Sequence, residues 1–136
     1  MSKGKIESEG CWISLILRLA VASLFAAAAI AKFQGGLESV VGYFQSAFKD
    51  TWLPPALVTL HARLVPYIEA IIPIWLVSGF RLKLGWVATA LFMVTLAFGM
   101  MVAKQYAVAA DNYRYVLICC AGLYFSQFDH VRFLGK

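Results

Sequence analysis

Between Trp12 and Phe33 the chain reads WISLILRLAVASLFAAAAIAKF, an apolar run whose only charges are Arg18 and Lys32. A helix needs roughly 20 such residues to cross the hydrocarbon of a bilayer. Helices and closed barrels alone satisfy every backbone polar group there. Two further runs of this kind follow, from about Ala56 to Phe80 and from Leu84 to about Ala103. A fourth, Tyr113 to Phe128, reaches spanning length by borrowing Ala109 to Asn112. The expectation is an all-α integral membrane protein, a four transmembrane helix bundle in one domain over residues 1–136. Its spans are placed at about 12–33, 56–80, 84–103 and 109–128.

Composition points the same way. Hydrophobic residues make up 62% of the chain and the mean hydropathy is +0.76, against roughly 45–50% apolar residues in soluble domains. The net charge of +5 arises from 12 basic and 7 acidic residues. The basic residues sit mostly between apolar blocks, which suits membrane orientation and predicts no nucleic acid partner. Lys3 and Lys5 would suit the start of a signal peptide, but Glu7 and Glu9 dilute that start and Arg18 interrupts the apolar segment; a retained helix is expected. Cys11, Cys119 and Cys120 form no C-x-x-C, so they are read as small apolar side chains and no metal site is expected.

Between the first two spans, Leu37, Val40, Val41, Phe44 and Phe48 recur at helical spacing, with Glu38, Gln45, Lys49 and Asp50 on the other side. An interfacial amphipathic helix over about 37–50 is predicted, closed by Pro54-Pro55. With both termini on one side, that side collects Lys3, Lys5, Arg81, Lys83, Arg132 and Lys136. The opposite side collects Lys32, Lys49, Lys104 and Arg114, with Arg63 close by. The bias places both termini in the cytoplasm and the chain in the cell (inner) membrane. Trp12, Trp86, Trp52, Tyr106 and Tyr113 are then expected near the two interfaces.

The charges inside the spans are the candidate functional groups. Counting from the cytoplasmic boundary, Arg18 lies roughly 10 Å and Glu69 roughly 16 Å deep at 1.5 Å per residue. Antiparallel neighbours would bring them to nearly one level, so Arg18 and Glu69 are expected to form a buried ion pair. Arg18, Ala22, Phe25, Ala29 and Lys32 fall on one helix face that should look into the bundle. Pro66 and Pro73 deprive the carbonyls of Ala62 and Glu69 of their helical donors, leaving acceptors for a ligand, a water chain or a neighbouring subunit. His61, at the outer end of the second span, and His130, past the inner end of the fourth, lie on opposite sides and cannot share one haem. Asp111, Asn112 and Arg114 form an outer-loop polar cluster read as the cap and anchor of the fourth span.

Arg18 in the first span, Lys32 near its end, and Glu69 followed by Gly79, Arg81 and Lys83 together resemble the DoxX family of small four-helix membrane proteins. Asp129, just beyond the last span, is similar to the short acidic ending of many members. The resemblance covers roughly residues 14 to 130. It departs from the family pattern at Ala29 and at Ile72-Pro73, where glycines are usual. It implies a relationship to the membrane subunit of thiosulfate:quinone oxidoreductase or to scaffolds that assemble with redox enzymes. Arg18, Lys32 and Glu69 are the positions onto which a family site would carry over.

The expected function is therefore an accessory or scaffold subunit of an oxidoreductase or electron-transfer complex, not catalytic alone, contacting lipid or quinone. The partners are the bilayer, larger membrane subunits and a second copy of the chain. No covalent cofactor is expected. A second reading is a quinone-binding subunit with direct electron transfer, its contacts drawn from Arg18, Lys32, Glu69, Arg63 and His61. A small transporter or membrane chaperone is the third.

Overall fold

The structure, a computed structural model, describes residues 2–131. Arg132 and Lys136, both used in the charge count, lie outside the described residues. Five α-helices follow in order: α1 (Lys3–Gly35), α2 (Leu37–Ala47), α3 (Pro55–Ser78), α4 (Leu82–Val102) and α5 (Tyr106–Phe125), then a 3-10 turn at Ser126–Phe128. No strand occurs among the described residues. Helices α1, α3 and α4 are long and apolar enough to cross a membrane. Helix α5 is not among them, because Asp111, Asn112 and Arg114 lower the hydropathy of its first half.

Local signals set the helix ends. Helix α1 starts nine residues before its apolar run, where Ser2 Oγ accepts the Lys5 amide at 3.4 Å and Lys5 faces Glu9 one turn on at 3.9 Å, as a capped, paired first turn should. Pro55 opens α3, where its missing N–H is harmless, and Gly79 closes it in the left-handed region at φ 75°. Helix α4 ends in a Schellman arrangement, the Gln105 amide reaching Met100 O and the Lys104 amide Met101 O, with Lys104 at φ 61° where glycine is usual.

Helices α1 and α3 run antiparallel side by side, and α4 packs along α5. Val21, Phe25, Val65, Ile72, Leu76, Trp86, Phe92, Met93 and Cys119 join these pairs into one core. A second cluster beneath α2 holds Val41, Phe44, Phe48, Val58, Ala62 and Met100. One expectation is overturned here. Trp86 is fully buried rather than interfacial, because α5 presents Gly122 to it: a Cβ there would sit 2.4 Å from Trp86 Cε2. Trp12, Trp52, Tyr106 and Tyr113 are exposed.

Candidate functional site

The intramembrane charges form two separate clusters. At the end of the bundle where α3 finishes, Arg18 is 1% exposed and its guanidinium is surrounded by acceptors. Nε donates to Leu76 O at 2.7 Å and Nη2 to Val77 O at 2.7 Å. Nη1 donates to Val131 O at 2.7 Å and to both Asp129 oxygens at 3.1 Å. The carboxylate of Asp129 also accepts Ser14 Oγ at 2.6 Å and the Val131 amide at 2.8 Å. The last carbonyls of a helix lack intrahelical donors and carry the negative pole of its dipole, so a planar cation with several N–H groups suits them. This knot ties α1, the end of α3 and the chain after α5 together.

Arg18 therefore does not pair with Glu69. The partner of Glu69 is Lys32, whose Nζ lies 2.7 Å from Oε2. Glu69 is 5% exposed and the ammonium is half-buried, beside a groove of about 340 Å³ that also touches Gly36 and Tyr43. The depth estimate erred because a lysine or arginine side chain reaches more than a helical turn. Two bases on α1 could each have served the same acid. The signal for the true partner of Arg18 was Asp129, an acid directly after an apolar span.

The remaining expected residues are dispersed. Arg63 is exposed and borders, with Glu38 and Tyr67, a groove of about 250 Å³ between α2 and α3. Asp111 and Arg114 lie within α5 rather than in a loop; they pair with each other at 2.9 Å and are exposed. Asn112 is half-buried between them, and none of the three caps the helix, whose N-cap Gln105 makes no side-chain cap bond. His130 is exposed beyond the 3-10 turn. His61 faces Thr95 across α3 and α4, Nε2 to Oγ1 at 3.3 Å, and lines an apolar cavity. No group of three or more His, Cys, Asp or Glu able to hold a metal occurs among the described residues.

A family model described as methylamine utilisation protein MauE matches residues 10–111. The chain belongs to the MauE family. The match overturns the resemblance to DoxX, a different membrane family. Short charged motifs in apolar helices carried that resemblance, and such motifs answer the bilayer's demand for paired ions in many unrelated bundles. The MauE match runs from Gly10 in α1 through α4 to the first turns of α5. It includes Arg18, Lys32, His61 and Glu69. No curated protein and no solved structure matches the chain. With its apolar helices and its MauE membership, the chain is a membrane protein.

Proposed function

We propose that this MauE-family chain is an accessory integral-membrane subunit in methylamine utilisation, positioned where an amine-oxidising system meets the bilayer. The match over residues 10–111 carries this reading. Using methylamine as a nutrient means withdrawing electrons from its C–N unit, a task for redox centres, which larger partner subunits would supply in this reading. A small helical chain can supply a rigid frame. Arg18 with Asp129 and Lys32 with Glu69 neutralise each other inside the bundle and tie α1 to the chain after α5 and to α3.

In the arrangement proposed, α1, α3, α4 and α5 cross the inner membrane, α2 lies in the outer interface, and both termini are cytoplasmic. Lys3, Lys5, Arg81 and Lys83 then lie on the inner side. A direct quinone contact is supported least at Arg18, whose buried guanidinium already makes five acceptor contacts within the protein. His61 is the one expected contact residue that faces an apolar cavity.

The test is affinity purification of the full-length chain in mild detergent, paired with methylamine oxidation by membranes from a deletion strain. Larger subunits should copurify and oxidation should fall. A lone monodisperse protein, with oxidation unchanged by its deletion, would overturn the accessory role.

A further inference from the structure

Beneath α2, between α3 and α4, lies a cavity of about 380 Å³. That volume falls in the usual range of small-molecule sites. Its walls are Phe44, Phe48, Leu57, Val94 and Phe98, and its polar groups are His61 and Thr95. Three phenyl rings together with an imidazole favour a flat ring over a plain acyl chain. His61 is the seventh residue of α3 and Thr95 lies seven residues before the end of α4, so both sit roughly 10 Å below the helix ends. With α3 and α4 across the bilayer as proposed, a ligand entering here would come from the bilayer.

The hydrogen bonds define what that ligand must offer. Thr95 Oγ1 donates its single proton to Phe92 O at 2.7 Å. It can therefore only accept from His61 Nε2. The neutral imidazole then carries its proton on Nε2 and leaves Nδ1 as an acceptor. We propose that this cavity binds a membrane-soluble ring compound whose hydroxyl donates to His61 Nδ1 while its apolar body stacks among Phe44, Phe48 and Phe98. The proposal rests on α3 and α4 crossing the bilayer, and it adds a ligand class to the accessory role.

Two probes that differ by one methyl on the tested oxygen decide it: 4-nonylphenol, which has the donor, and 4-nonylanisole, its methyl ether. Binding is measured by titration of the full chain in bilayer discs, and helix placement is read separately from quenching of tryptophan fluorescence by brominated lipid. The phenol should bind about tenfold tighter than the ether, the worth of one hydrogen bond in an apolar site. His61→Phe should abolish that preference while keeping the ether's affinity, and Val94→Trp should weaken both probes. Thr95→Val leaves the ring in place but releases its tautomer; it should narrow the preference, and it serves as the readout where His61→Phe does not fold. Equal binding of the two probes by the unmodified chain would overturn the proposal as a groove filled by lipid tails. So would failure to bind either probe, or a phenol preference that survives loss of the imidazole. Where brominated lipid does not quench, the membrane placement fails instead, and binding in micelles still tests the cavity.

Discussion

At the scale of single residues, the fate of Arg18 turns on what replaces its partners. Its side chain is 1% exposed and that of Asp129 is 0% exposed, so removing either breaks a fully buried ion pair. Arg18→Leu is expected to cost about 3–5 kcal/mol, and Asp129→Leu a similar amount. The double variant should lose less than either alone, since both charges of the buried pair are then gone. Thermal unfolding of the purified chain in detergent checks the ordering; strictly additive losses would mean the carboxylate and guanidinium do not act as a unit. That a buried arginine needs an acid was legible in the sequence, because the cost of an unpaired ion in hydrocarbon does not depend on the fold. Which acid was not legible. Asp129 comes to α1 only because the 3-10 turn at Ser126–Phe128 folds the chain after α5 back toward Ser14, and no periodicity encodes such a return. Lys32 was visible as a candidate on the same face of α1, but its reach to Glu69 depends on a side-chain conformation.

At the scale of helices, the apolar runs and their Pro and Gly punctuation were readable because length and hydropathy are local. What a helix presents to its neighbour was not. The interface rule assigned Trp86 to the membrane surface from its place near the start of α4. It is buried instead because Gly122 removes the obstacle on α5. A side chain at residue 122 must push the indole aside, so Gly122→Val should destabilise the bundle by about 1–3 kcal/mol. Adding Trp86→Leu should recover part of that loss by vacating the space. Unfolding midpoints of the single and double variants measure it; a harmless Gly122→Val would show that α4 and α5 are not held this closely. The polar residues of α5 were read as an outer-loop cluster capping and anchoring the fourth span. Asp111, Asn112 and Arg114 look like a connection by composition, yet packing along α4 keeps them helical.

At the scale of the whole molecule, the two cores and the two buried ion pairs leave an exposed charged pair on α5. Helix α5 exposes Asp111 and Arg114 together with Tyr113, Leu117 and Tyr124. In the proposed arrangement, with α5 crossing the bilayer, Arg114 is roughly 12 Å from the start of the helix, deep enough for a charge facing lipid tails to be costly. A polar neighbour at that level would remove the cost, and a larger subunit of the same complex would provide one. The double change Asp111→Leu with Arg114→Leu separates the alternatives. For the isolated chain in bilayer discs it should raise the unfolding midpoint, because an ion pair against hydrocarbon is replaced by apolar side chains. In native membranes it should lower the yield of copurifying subunits, because complementary polar contacts are lost. A variant that is stabilised alone and still copurifies as well as the unmodified chain would place α5 against lipid, and the partner would then have to dock on the exposed flank of α1, where Trp12, Ile16 and Leu19 face outward.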